Sequence, residues 1–284
     1  GIWPCCLSKT RSRWAVPCRL TTSITAADMR KWRTARPGGR TIRLWAVLFW
    51  LAVWQGVSMA INQQILLVSP VQVLIRLAGL VVTLQFWGAV LFSLLRITGG
   101  FLLGAGTGVI LASLSARFRR VEELLAPALL TIKSIPVASF IILALIWFSS
   151  RNLAVLISFL MVLPVIYTST LGGIRSADGQ LLEMAKVFRI PPARTIRYIY
   201  LPQVYPYFHS ACCAALGMSW KAGVAAEVIG MPQGSIGERL QQAKTYLDTP
   251  DLFAWTLVIV LLSLAVEKLF LRLLDLGRRA LERM

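Results

Sequence analysis

Long uncharged stretches, separated by short clusters of arginine and polar residues, dominate the chain and set its predicted elements. A bilayer core of about 30 Å is crossed by about 20 apolar residues in a helix. On that scale the pattern predicts spans over about 43–61, ending near Asn62-Gln63-Gln64, and over about 124–148, 152–173, 203–229 and 252–272. The stretch 77–116 carries a single charge, Arg96, and reads either as one span with an interfacial lead-in or as two. Thr249-Pro250 gives the last span an N-cap followed by proline at the first helical position.

Charge placement chooses between the two readings of 77–116. With one span there, the total is six and both termini share a side. That side collects the basic residues of 1–43, Arg117, Arg119 and Arg120, those from Arg175 to Arg197 and those from Lys268 to Arg283. Opposite lie Arg76, Arg151, Arg239 and Lys244, while Arg96, Lys133 and Lys221 fall within spans. The positive-inside rule makes the crowded side cytoplasmic. Two spans would put Arg117, Arg119 and Arg120 outside and break the pattern. The expected fold class is an all-α integral membrane protein of six transmembrane helices with a short cytoplasmic helix. The domains read as a basic tail over 1–40, a first span and external connector over 41–81, a core over 82–275 and a C-terminal tail over 276–284.

Composition agrees. Apolar residues make up 57% of the 284 and charged residues 15%, with a mean hydropathy of +0.68. A soluble core cannot hide that much apolar surface. The net charge of +18 then reflects topology rather than nucleic-acid binding. Residues 1–28 lack a signal-peptide apolar run, and Met29, followed by Arg30-Lys31-Trp32-Arg33, resembles a natural start. Residues 1–28 are therefore expected to be an upstream extension or a tail. Cys5, Cys6, Cys18, Cys212, Cys213 and His209 make no metal-ligand spacing. His209, with no acid or cysteine expected beside it, reads as packed or pore-facing.

The segment 174–202 reads as more than a connector. Asp178 can cap a short helix over Gln180–Phe188 that places Leu181, Ala185 and Phe188 on one face. Pro191-Pro192 ends it and lets a second begin. Such a striped helix suits either a groove on another protein or the lipid headgroups. Glu183-Met184-Ala185, three residues, Arg189, nine residues, then Ile199-Tyr200-Leu201-Pro202 resembles the EAA motif of ABC-importer permeases. Ile132-Lys133-Ser134-Ile135-Pro136, Gly173-Ile174-Arg175 and Ala226-Glu227 extend the likeness over about 82–275. The chain resembles the nitrate/sulfonate/taurine-type branch of binding-protein-dependent permeases.

That resemblance implies a type I ABC-importer permease fold whose loop is a coupling element seated on a cytoplasmic ATPase. Glu183, Met184, Ala185, Phe188, Arg189, Leu201 and Pro202 would carry the contact. Met184 and Arg189 depart from the motif's alanine and glycine. At 189, either Pro191-Pro192 reshape the turn or Arg189 itself touches the partner. The chain lacks a G-x-x-x-x-G-K-[ST] phosphate loop. It is expected to be non-catalytic, with no cofactor or metal of its own and with ATP-Mg held by a separate ATPase. The implied partners are two ATPase subunits, an external solute-binding protein and a second copy of the chain, in a bacterial plasma (inner) membrane.

Ionisable residues within spans are functional candidates. Lys221 either attracts an anionic solute, with Trp220 walling the site, or snorkels or pairs structurally, with Trp220 simply packed or anchoring an interface. Glu227, about 240° around the helix from Lys221, needs a partner elsewhere, water or the solute, and with Lys133, Trp220 and Lys221 it is a candidate for the substrate pathway. Lys133 either lines an inner gate or pairs with Glu227 or another acid. Gly100, Gly104 and Gly108 form a smooth stripe for core packing or a homodimer face. Ser235 and Glu238 make a capping box for a short external helix through Ala243. The implied cargo is a small anion such as a sulfonate, nitrate or taurine. A thiamine-precursor pyrimidine permease is the alternative within the family, and an ion-coupled secondary transporter the alternative outside it.

Overall fold

A computed structural model describes residues 44–61 and 67–282, with side chains over 45–60 and 67–277. The basic tail 1–40, its three cysteines and Met29, and the polar residues Asn62-Gln63-Gln64 lie outside the described residues. Every regular element among the described residues is helical. Contacts divide the chain into Gly1–Trp50 and Leu51–Met284. Of the first unit the structure describes only the helical segment from Leu44, with Trp45, Leu48, Phe49 and Trp50 exposed.

The elements are α1 Leu44–Ile61, α2 Pro70–Val81, α3 Leu84–Arg117, α4 Arg119–Ser134, α5 Val137–Trp147 and α6 Ser150–Arg175, then α7 Gly179–Val187, α8 Pro192–Thr195, a π-helical turn Ile196–Tyr200, α9 Leu201–Gly230, α10 Ile236–Thr245 and α11 Thr249–Glu282. By length and apolarity, α3, α6 and the continuous rod Pro192–Gly230 are each able to cross a membrane, and α4 with α5 makes a bent fourth. Within the stretch 77–116, residues from Leu84 on form one long helix, α3. It is preceded by the shorter α2, whose first turn is capped by the Ser69 hydroxyl and led by Pro70.

The span expected over 124–148 is not one straight helix. It breaks at Ile135-Pro136, and α4 and α5 meet at 108°. Proline lacks the N–H for the helical bond and drives the residue before it to extended backbone. Ile135 accordingly sits at φ −77°, ψ 130°. The opposite departure occurs at 203–229, which runs back without interruption through the π turn into α8. The wide turn, where Leu201 N–H reaches Ile196 O, lies directly before Pro202. It relieves the ring's clash with the carbonyl four residues earlier.

Packing fixes the directions. α3 and α6 run parallel, with Gly100 against Val155, Gly104 against Phe159 and Val162, and Gly108 against Ile166. The glycine stripe is thus covered by the chain's own α6, which answers the choice between core packing and a homodimer face. α9 runs antiparallel to α6, with Gly230 on Leu153, Gly223 on Ser158 and Gly173 on Tyr207. α11 runs antiparallel to α9, joined by Trp220 to Ile259 and by Tyr205 to Asp275. One end of this bundle carries the segment 176–191. The other carries α2, α10 and the start of α3, where Phe86, Ala89, Ile236 and Trp255 form a buried cluster.

Candidate functional site

At the loop-bearing end, α7 is held at both termini. Asp178 Oδ1 accepts the Gln180 N–H at 2.9 Å, and the Asp178 N–H donates to Gln203 Oε1 at 2.9 Å. Arg175 at the end of α6 is ion-paired with Glu122 in the first turn of α4. The far terminus of α7 is a Schellman turn. Ile190 N–H donates to Ala185 O at 2.9 Å, Arg189 N–H to Lys186 O at 3.1 Å, and Arg189 lies at φ +50°. Arg189 therefore keeps the left-handed conformation that glycine would take, so Pro191-Pro192 have not reshaped the turn.

The apolar stripe differs from the one the spacing predicts. Ala185 is buried at 4%, but Leu181 and Phe188 are exposed, Phe188 at 72%. With Met184 and Val187 they form an uncovered apolar face, and Glu183 is exposed on the same helix. Beside it open two hollows. One, of about 460 Å³, is lined by Phe188, Arg189 and Tyr198. The other, of about 600 Å³, is lined by Ala185, Leu182, Lys186 and Tyr200. Leu201 and Pro202 are exposed at the start of α9 and line neither hollow. Leu182, Lys186 and Tyr200 escape sequence reasoning because only the turn at Arg189 folds the segment after Pro191 back beside α7.

The four pathway candidates do not converge. Lys133 is exposed in the last turn of α4, where a cation suits the helix dipole. Lys221 is exposed on α9. Trp220 points away from it into the bundle, 3% exposed, with its indole N–H donating to Ile259 O at 3.1 Å. It belongs to the α9–α11 packing and does not wall a site beside Lys221.

Glu227 is fully buried. Its partners come from α3 and α10 and not from Lys133. Ser93 Oγ donates to Glu227 Oε2 at 2.6 Å, and the Gly237 N–H donates to the same oxygen at 3.4 Å. The Ile236 N–H donates to Ser93 Oγ at 3.0 Å. The Glu238 N–H is taken by the Ser235 hydroxyl at 3.0 Å, the forward half of the predicted capping box, but Glu238 Oε2 accepts from the Gly234 N–H at 2.6 Å, while the Ser235 N–H goes to Pro232 O. The first three N–H groups of α10 are therefore satisfied by Ser93, Glu227 and Ser235, and a carboxylate stands at its positive end. Sequence alone named Glu227 but not Ser93.

His209 also differs from expectation. Asp275 Oδ1 lies 3.9 Å from its Nε2, and Cys213 Sγ lies 3.9 Å from its Nδ1.

Among the described residues the chain is a helical bundle with long apolar helices able to cross a membrane and an exposed, capped helix between two of them. Residues 104–281 match the family described as the binding-protein-dependent transport system inner membrane component, and the chain belongs to it. It is a multi-pass inner-membrane permease subunit, and in such systems the ATPase is a separate chain. It is 28% identical over 79% of its length, and 82% of the relative's, to the Bacillus subtilis permease protein SsuC, named for aliphatic sulfonates transport. Against the Escherichia coli taurine transport system permease protein TauC it is 26% identical, covering 89% and 91% of the two chains. It is also similar to the Chloroflexus aurantiacus riboflavin transport system permease protein RibX, at 27% identity over 76% and 81%. Among solved structures, a crystal structure of an amino acid ABC transporter with histidines has the same fold, with a TM-score of 0.52 at 17% identity over 69% of this chain and 94% of that one.

Proposed function

We propose that this chain lines the solute pathway of an ATP-driven importer, paired with a second copy, driven by two cytoplasmic ATPase subunits and supplied by an external solute-binding protein. The loop end is the cytoplasmic face. In this reading the chain crosses six times, by α1, α3, the broken α4–α5 pair, α6, α9 and α11, with both termini cytoplasmic; the three helices and the bent pair that are able to cross a membrane support it. The observation that carries the reading is α7. It is an exposed apolar helix with Glu183 on it, closed by the left-handed turn at Arg189 and flanked by hollows that a neighbouring protein can enter.

The cargo is a small anion of the sulfonate or taurine kind. This is supported by the names of two relatives and by the exposed cations Lys133 and Lys221. The relative named for riboflavin favours a second reading, a larger uncharged solute recognised chiefly by the binding protein.

Co-purification with an ATPase subunit tests the reading. ATP hydrolysis is expected in the assembled complex and is expected to disappear on Glu183→Arg. A chain that retains no ATPase subunit, or a complex in which Glu183→Arg hydrolyses ATP and imports solute normally, rejects it.

A further inference from the structure

From the Ser93–Glu227–α10 network we infer that Glu227 is a positioning residue. It locks α10 to α9, so that movement delivered at the loop 174–202 reaches the opposite face of the membrane through one rod. The transport half of this statement rests on the function proposed above. The anchoring half does not.

The rod is the uninterrupted helix of 39 residues from Pro192 to Gly230, about 58 Å at 1.5 Å per residue. It begins at the hollows beside Arg189 and ends one turn beyond Glu227. There the chain reverses through Met231, at φ +44°, and Gly234, at φ +78°. Such a tight reversal leaves α10 free to swing unless something fixes its start.

Glu227 supplies that fixing. Its carboxylate reaches across to Gly237 and Ser93, and Ser93 in turn takes the Ile236 N–H. Gly237 brings the two backbones together. A Cβ there would lie 2.4 Å from Glu227 Cβ, closer than any side chain allows. Ser235, Ile236 and Glu227 are all fully buried, so water does not compete for these bonds. Both bonds fall on Oε2, whose partners belong to the protein's own framework, while Oε1 is buried with no hydrogen-bond partner among the described residues.

Hydrogen–deuterium exchange tests both halves on the chain in lipid nanodiscs, alone and assembled with its ATPase, with MgATP plus orthovanadate as the trapping probe. In the chain alone, Glu227→Ala is expected to speed exchange at the start of α10 about tenfold or more, leaving α3 and α6 unchanged, and Glu227→Gln is expected to restore protection. Ser93→Ala, a milder change, should act in the same direction. In the trapped complex, α9 and α10 are expected to change exchange together in the wild type, and α9 alone in Glu227→Ala. Wild-type exchange at α10 in both Glu227→Ala and Ser93→Ala overturns the anchoring. So does a Glu227→Gln variant as fast-exchanging as Glu227→Ala. If α10 responds to trapping as fully in Glu227→Ala as in the wild type, the transmission is overturned. A chain that binds no ATPase counts against the proposed function, while the single-chain exchange still decides the anchor.

Discussion

A methyl group placed on Gly104 would stand 2.9 Å from Cβ of Val162, and as close to the carbonyl oxygen of Phe159. The parallel contact of α3 with α6 therefore relies on a missing side chain. Gly104→Ala must push the helices apart or strain them, and overpacking of this kind costs about 1–3 kcal/mol. The expected outcome is a lowered unfolding temperature in detergent. Gly106→Ala, with nothing within 4 Å of its new Cβ, is the control and should unfold like the wild type or slightly later.

Arg189 keeps a left-handed backbone at a position where the family motif has glycine. The conformation costs an L-residue about 1–2 kcal/mol, and Arg189→Gly should recover up to about 1 kcal/mol, less glycine's own entropy. Thermal unfolding checks the sign, and Arg189→Val, β-branched, should shift it the other way. If the guanidinium itself grips the ATPase, Arg189→Gly will be more stable yet will lose the ATPase subunit more readily on gel filtration.

Trp220 tests packing against pathway. Removing only the indole N–H, by Trp220→Phe, leaves the Ile259 carbonyl without that donor and should cost about 1 kcal/mol. Trp220→Ala should cost about 3–5 kcal/mol. Solute affinity in the folded Trp220→Phe variant should match the wild type. A change in affinity without a change in unfolding would return Trp220 to the pathway.

Sidedness can be read with a membrane-impermeant thiol reagent. Val187→Cys on α7 and Gln242→Cys on α10 replace exposed residues at opposite ends of the bundle. With the five native cysteines replaced by serine, the reagent should label Gln242→Cys and spare Val187→Cys in right-side-out vesicles, and the reverse in inverted ones. Labelling of both from one side contradicts the six-passage arrangement.

Features governed by a few neighbouring residues were legible along the chain. Asp178 and Ser235 cap the helices that their positions announce. Pro191-Pro192 open the next helix as expected, but α7 itself ends earlier, at the left-handed turn of Arg189. The need for a left-handed residue at 189 could be read from the motif even though arginine occupies it. Hydropathy found the long helices but treated 124–148 as one span, although Pro136 marked the break at 108°. Averaging over a window that long conceals one missing N–H, which suffices to bend a helix.

The chain's own order of residues thus determined what depends on local sterics and on the sorting of apolar from charged segments: the long helices and the caps at Asp178 and Ser235. What the tertiary structure alone decided is which side chains meet. Ser93 and Glu227 are separated by 134 positions, and nothing near either one names the other. The glycine stripe found its cover in α6, and Trp220 turned toward Ile259. Lys221 and Glu227, grouped by their charge in an apolar helix, point to different surroundings. Pairing at a distance depends on how whole helices align, and their alignment is set by the summed packing of many apolar residues rather than by any short pattern.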